Sequence, residues 1–316
     1  MKEMSIEFER VHLKPIYPEP LGAGDTVGII APASPGDAAR ITKAANYLLG
    51  LGLQVQFGET VYSEYGYLAG EDQDRADELN AMFANPDIKA IVCARGGYGT
   101  ARMADLLDYE LIQRHPKFFW GYSDITFLHN AIFQRTGLIT FHGPMLTCLA
   151  SDLVDPLTLE GFKLLFGKDV PSYTEAISPL EVLIPGTGAG PIVGGNLSLL
   201  VTTLGTPYEI DTTGKLLLIE DIDEEPYRID RMLNQLLQAG KLTEAAGIIV
   251  GDFHHCDPVK RASSLSLDEV IRHYMTKAGR PAVSGFRIGH CSPNIAIPLG
   301  LPALLDTNRK LLQFGR

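Results

Sequence analysis

A chain of 316 residues is too long for one ordinary small domain, so it calls for one large α/β domain or two domains. With 45% hydrophobic and 21% charged residues it has the composition of a globular protein that buries a sizeable core. A formal net charge of -11 excludes a general nucleic-acid binder, which needs a clustered basic face, but leaves room for a local basic pocket.

Residues 1–22 are largely polar, contain Pro15, Pro18 and Pro20, and read as an N-terminal arm without the apolar core of a signal peptide. The apolar run 26–31, followed by Pro32, Ser34, Pro35 and Gly36, predicts a buried strand and a turn. Residues 38–51 place Ile41, Ala44, Ala45, Leu48 and Leu49 at helical spacing, and Gly50 and Gly52 end that helix. A short strand at 54–57 precedes a helix at 72–83 with Ala76, Leu79 and Phe83 on one stripe. A strand at 88–94 runs into the glycine-rich Arg95-Gly96-Gly97-Tyr98-Gly99. Then come a helix at 100–107, a strand at 117–121 and a helix at 124–134. The alternation predicts a parallel sheet with helices on both faces.

Residues 146–190 are weakly patterned and rich in proline and glycine, which marks a domain junction. The division expected is an N-terminal α/β domain over 1–150, an inter-domain region over 151–188 and a C-terminal domain over 189–316. In the second half, Ile192-Val193-Gly194-Gly195-Asn196 leads into a helix at 197–204. Strands are expected at 215–219, 246–250 and 282–284, with helices at 227–238 and 267–277. Short strands at 296–298, 303–306 and 310–314 suggest hairpins rather than further βαβ units. No stretch approaches the roughly 18 apolar residues of a membrane span. Cys93, Cys148, Cys256 and Cys291 form no C-x-x-C pair, so reduced thiols and a cytoplasmic setting are expected.

The most informative stretch is Phe118-Phe119-Trp120-Gly121-Tyr122-Ser123-Asp124-Ile125-Thr126. An apolar strand meets Gly-x-Ser and then a helix, the context of a nucleophile elbow, although Ile125 stands where the second glycine of G-x-S-x-G would be. The competing reading is that Ser123 only caps the helix. The Arg95–Gly99 loop also follows a strand and precedes a helix, so it belongs at the same sheet edge, either as a source of backbone donors or as a plain turn or phosphate cradle. Gly96 or Gly97 and the Asp124 N–H are the donor candidates.

A serine nucleophile needs a base and the base needs an orienting acceptor. Among eight histidines, His142 ends an expected strand of the same sheet, and His290 sits in a loop that suits a base or a merely hydrogen-bonded histidine. His129 falls on the helix after Ser123, as a packing or solvent-facing residue. His254-His255-Cys256-Asp257 has the residue types of a metal cluster, but adjacent residues rarely converge on one ion, and no metal is expected. Glu220 and Asp221 close the apolar run Leu216-Leu217-Leu218-Ile219, where a carboxylate must be solvated, paired or used. Either serves as the orienter or caps the next helix.

These motifs, together with Phe141-His142-Gly143-Pro144-Met145, Pro226-Tyr227-Arg228-Ile229-Asp230-Arg231 and Gly289-His290, resemble the LD-carboxypeptidases over about residues 24–306. The resemblance implies a flavodoxin-like N-terminal domain, a C-terminal β-rich swivelling domain, a homodimer, and no cofactor. It implies Ser123 as nucleophile, Glu220 as orienter and His290 as general base, with oxyanion donors at the Gly96 and Asp124 N–H groups. The implied substrate is a small peptide or muropeptide, with release of the terminal D-alanine of a murein tetrapeptide. A rival class within the family hydrolyses peptidyl or aminoacyl adenylate analogues and stacks the base on an aromatic ring of the inter-domain region. Here that region offers only Phe162, Phe166 and Tyr173. A non-catalytic small-molecule-binding protein is the alternative from another class. Arg95, Arg228 and Arg231 are candidates for a substrate carboxylate, Arg228 being preferred, with Gly97 and His142 as further substrate-binding candidates; structural ion pairs are the competing role for the arginines.

Overall fold

The computed structural model describes residues 13–150, 153–259 and 263–315. The first twelve residues of the expected N-terminal arm, His12 included, lie outside the described residues. In the first half, apolar runs and amphipathic helices alternate as β1 (Thr26–Ile30), α1 (Ala38–Gly50), β2 (Gln54–Phe57), α2 (Asp72–Ala84) and β3 (Ile88–Cys93). They continue as α3 (Thr100–Met103), α4 (Tyr109–Arg114), β4 (Phe118–Gly121), α5 (Thr126–Thr136), β5 (Thr140–His142) and α6 (Leu146–Leu149). The helix expected over 100–107 stops after one turn of α-helix, and α4 follows separately, capped by the Asp108 carboxylate accepting from the Leu111 N–H.

The stretch 146–190 holds more regular structure than its patterning suggests: α6, α7 (Pro156–Glu160), β6 (Glu181–Ile184) and the first residues of β7 (Thr187–Asn196). The second half continues with α8 (Leu197–Thr203), β8 (Leu216–Ile222), α9 (Pro226–Gln238), α10 (Lys241–Glu244) and β9 (Gly247–His254). It ends with α11 (Leu267–Ala278), β10 (Ala282–Ser284), β11 (Ile297–Leu299), β12 (Pro302–Asp306) and β13 (Leu311–Phe314).

Two sheets result. The N-terminal sheet has the order β11-β5-β4-β3-β1-β2, and its chain-ordered strands are parallel. The C-terminal sheet has the order β13-β12-β7-β8-β9-β10-β6, parallel from β7 to β10 and antiparallel at both edges. It is therefore a mixed sheet with helices of its own, while β12 and β13 form the expected hairpin. The strand expected at 296–298 does not form a hairpin. As β11 it crosses back and pairs antiparallel with β5, Ile297 opposite His142. Two apolar residues flanking Pro298 fill the edge of the N-terminal sheet, a place that tolerates a missing N–H.

One apolar core joins the halves. Trp120, Phe141 and Phe162 stack there, alongside Leu216, Leu218, Phe286 and Ile297 from the second half. Helix α5 supplies the polar part of the joint. Asn130 Nδ2 donates to the Gly194 carbonyl at 3.1 Å, and the Gly194 N–H donates back to Asn130 Oδ1 at 3.1 Å. Thr126 Oγ1 accepts the Asn196 N–H at 3.0 Å. Gly194 has φ +115°, and a Cβ there would stand 2.1 Å from the Leu218 carbonyl oxygen. Gly194→Ala is therefore expected to destabilise the protein by about 2–4 kcal/mol through backbone strain and overpacking, read as a lower urea midpoint; an unchanged midpoint would contradict this account of the joint.

Candidate active site

The strand–helix turn after β4 holds Ser123 in the left-handed region, at φ +64°. For a residue with a Cβ this is an uncommon conformation, and it occurs at the tight turn expected of a nucleophile elbow. A short 3-10 turn, Ser123–Ile125, precedes α5, and no side chain caps either element. Among the described residues the Ser123 hydroxyl makes no hydrogen bond, so the capping role is not used. Gly96 lies against it. A Cβ at Gly96 would stand 3.2 Å from Ser123 Oγ and 3.4 Å from the Asp124 nitrogen. The space beside the hydroxyl is thus lined by backbone. The Asp124 carboxylate points away from it, where its Oδ2 accepts the Thr100 N–H at 2.9 Å. Burial pushes the Asp124 carboxyl up from its ordinary range.

The second half brings Glu220 and His290. Strand β8 runs three residues further than the apolar run suggests, to Ile222, so Glu220 and Asp221 lie within it and point to opposite faces. His290 Nδ1 and Glu220 Oε2 are 2.8 Å apart. The His290 ring leans on Tyr122, centroids 4.8 Å apart, next to Ser123 in the chain. A Cβ at Gly289, at φ +123°, would collide with Glu220 Oε2 at 2.6 Å, so only glycine lets the histidine loop approach this closely.

Glu220 is fully buried, and so is His142, whose Nε2 stands 3.7 Å from Glu220 Oε1. That is an electrostatic contact, longer than a hydrogen bond. His142 therefore faces the carboxylate from within the core and is not placed to line a substrate pocket. Burial resists the charge on Glu220, but the two facing imidazoles outweigh it and bring the carboxyl down to about 2. Burial also disfavours charge on His290, yet the Glu220 hydrogen bond and the negative charges of Glu220, Asp221 and Asp252 raise its pKa above the ordinary value. Asp221 serves a different purpose: it accepts from Asn196 Nδ2 at 3.1 Å, Ser198 N at 2.9 Å and Ser198 Oγ at 2.8 Å, fastening the start of α8. Burial and the neighbouring Glu220 push Asp221 up to about 6. Neither carboxylate caps the helix that follows, α9, whose N-cap is Glu225.

The remaining candidates disperse. His129 is fully buried, with Nε2 2.9 Å from the Gly121 carbonyl oxygen. His254 and His255 stack on each other and face Asp252 and Asp223 respectively. Among the described residues no group of side chains is arranged to hold a metal ion. Arg228 is exposed on α9, bound to Glu224 and Tyr227, and Arg231 also lies over Tyr227. Gly97 lies against Ser34. Arg95 lines an open cleft beside Gly96. Sequence reasoning did not anticipate Tyr122 as the platform for His290, nor Asn130 as the anchor of α5.

A serine held on a strained strand–helix turn with backbone beside its hydroxyl, and a carboxylate-bound imidazole resting on the residue next to it, are the parts a serine hydrolase uses. The pattern of the LD-carboxypeptidase N-terminal domain matches residues 27–143, and that of the C-terminal domain matches residues 189–305. The chain belongs to the LD-carboxypeptidase family and is a serine carboxypeptidase. The probable murein peptide carboxypeptidase of Bacillus subtilis (strain 168) is 58% identical over 294 residues, 93% of this chain and 92% of that protein. The murein tetrapeptide carboxypeptidase of Pseudomonas aeruginosa is 31% identical over 90% of this chain and 94% of its own length. The solved structure of MccF in complex with glutamyl sulfamoyl guanosine has a TM-score of 0.86 at 26% identity, covering 96% of this chain and 99% of that one. Among the described residues no helix is long and apolar enough to cross a membrane.

The depressed pKa of Glu220 has a consequence for stability. Its unfolded value is about 4.3 and its folded value about 2, so folding favours the ionised form. The contribution is complete above the unfolded value and is lost as pH falls through the folded one. The melting-temperature gap between wild type and Glu220→Gln should therefore narrow between roughly pH 4.5 and 2. A gap constant across that window would show that Glu220 is not ionised in the fold.

Proposed function

We propose that Ser123, His290 and Glu220 form a catalytic triad that cleaves the L–D peptide bond before the terminal D-alanine of a murein tetrapeptide. The observation that carries this reading is the 2.8 Å contact between His290 Nδ1 and Glu220 Oε2, beside a serine held at φ +64°. Glu220 fixes the tautomer with the proton on Nδ1 and leaves Nε2 as the base. His290 Nε2 takes the Ser123 proton as Oγ attacks the scissile carbonyl. The Gly96 and Asp124 N–H groups hold the oxyanion. Collapse expels the amine of D-alanine, which receives the proton from His290, and leaves an acyl-enzyme. Water, deprotonated by His290, then releases the shortened peptide and restores Ser123.

The substrate class rests on the murein-directed relatives. A second reading, hydrolysis of an aminoacyl sulfamoyl nucleotide, is favoured by the likeness to MccF bound to such a ligand. It asks for an aromatic ring free to stack a base. In the inter-domain region Phe162 and Tyr173 are buried, and Phe166 packs against the common core. This supports the murein reading. The four cysteines are all unpaired, which supports a reducing, cytoplasmic setting.

Ser123→Ala should lose about 10^6 in kcat, measured as D-alanine release from murein tetrapeptide; activity near wild type would remove Ser123 from the mechanism. The same assay run against an aminoacyl sulfamoyl nucleotide decides between the substrates. Labelling of Ser123 by a fluorophosphonate, lost in His290→Ala, excludes a merely binding protein. The base must be neutral to accept a proton, so the acid limb of kcat/KM should lie above the ordinary histidine value of about 6.5. In Glu220→Gln that limb should move to lower pH while the rate falls by about 10^4. A limb that does not move would mean that Glu220 does not act on His290.

A further inference from the structure

The N-terminal sheet reverses its winding between β1 and β3. Helix α1 covers the face of the common core, whereas α2 and α3 cover the opposite face. In open parallel sheets the crevice beyond the strand ends at such a reversal is where ligands bind. Here it is an open cleft of about 300 Å³ lined by Gly36, Asp37, Arg40, Arg95 and Thr147.

Its charge is net positive. Asp37 Oδ1 accepts the Arg40 N–H at 3.1 Å as the cap of α1. Arg95 Nη1 donates to the Pro35 carbonyl at 2.8 Å, which steadies the guanidinium and leaves its other donors free for a ligand. Among the described residues neither Arg40 nor Arg95 is paired with a carboxylate. Arg75, Arg102, Arg228 and Arg272, by contrast, each bind one. In a chain of net charge -11, two guanidiniums without acidic partners thus converge on one cleft.

The cleft adjoins the nucleophile. Arg95 directly precedes Gly96, whose missing Cβ would lie 3.2 Å from Ser123 Oγ. In a peptide with a free C-terminus, the carboxylate of the last residue lies only a few bonds beyond the scissile carbonyl. We propose that this cleft binds the carboxylate of the leaving residue, with Arg95 as the planar bidentate partner and Arg40 as a second cation. The assignment rests on the reading of Ser123 as the nucleophile of an enzyme acting on murein tetrapeptide. It makes the cleft the element that selects a free C-terminus over an internal peptide bond.

The test measures calorimetric binding of murein tetrapeptide and of its C-terminal carboxamide to the Ser123→Ala protein, which holds ligand without turnover. The free acid should bind about 10- to 100-fold more tightly than the amide. Adding Arg95→Gln should bring the two affinities within about threefold, Arg40→Gln should reduce the preference partly, and Arg95→Lys should retain part of it. An undiminished preference in Arg95→Gln overturns the assignment, as does equal binding of acid and amide before any arginine is changed; in both cases the substrate reading stands. Binding of neither ligand overturns the substrate reading and this inference with it. If Arg95→Gln shows no melting transition, Arg40→Gln decides: a smaller preference supports the cleft and an unchanged one refutes it.

Discussion

The docking of α5 on β7 is the constraint on which the rest of the molecule depends. Ser123 stands at the turn that opens α5, and Glu220 stands on β8, the strand beside β7. The reciprocal pair between Asn130 and Gly194 and the bond from Asn196 to Thr126 tie these two elements together. Each is a buried bond between groups that have no water to fall back on, so the joint is directional as well as cohesive. Apolar packing around Trp120 and Phe162 presses the halves together without specifying their angle. The amide ladder at Asn130 specifies it. The strand β11, crossing from the second half to the edge of the first sheet, closes the joint from the other side.

A buried carboxylate is the second organising feature. Glu220 is held charged in the core because His290 and His142 face it, and removing either would leave a buried charge short of compensation. Strand alternation sends Asp221 the other way, to fasten α8. The pairing of β8 with β9 shifts register between Ile219 and Asp221, where the strand passes from pure packing to placing charged groups. Such irregularities re-aim side chains beside functional sites. Two adjacent acids, alike in the sequence, thus acquire opposite protonation tendencies: Glu220 is pulled down to about 2, and Asp221, lacking a cationic partner and lying beside that charge, is pushed up to about 6.

The N-terminal sheet is organised around its loops. Ser34, Arg95, Gly96 and Ser123 all lie beyond the carboxyl ends of their strands, so the turn chemistry of separate βα units gathers at one edge. The positive φ of Ser123 is local strain tolerated because β4 and α5 on either side are buried and fixed. The proposed carboxylate cleft uses the same edge one strand further along.

The sequence by itself determined the parallel N-terminal sheet, the strand–turn–helix around Ser123, and the end of an apolar strand at Glu220. These are local properties: apolar period, glycine placement, and the cost of burying a carboxylate without a partner all act within a few residues. The family resemblance implied Glu220 and His290 as partners of Ser123, a pairing that spacing alone left open. Only the tertiary structure decided that His142 backs Glu220 instead of meeting a ligand, that Asp221 fastens the start of α8, and that β11 belongs to the first sheet. It also decided that Arg228 is engaged by Glu224 while Arg95 shares a cleft with Arg40. Periodicity tells which face of an element is apolar, but the partner of a buried polar group comes from distant chain, and that choice exists only once the halves are packed.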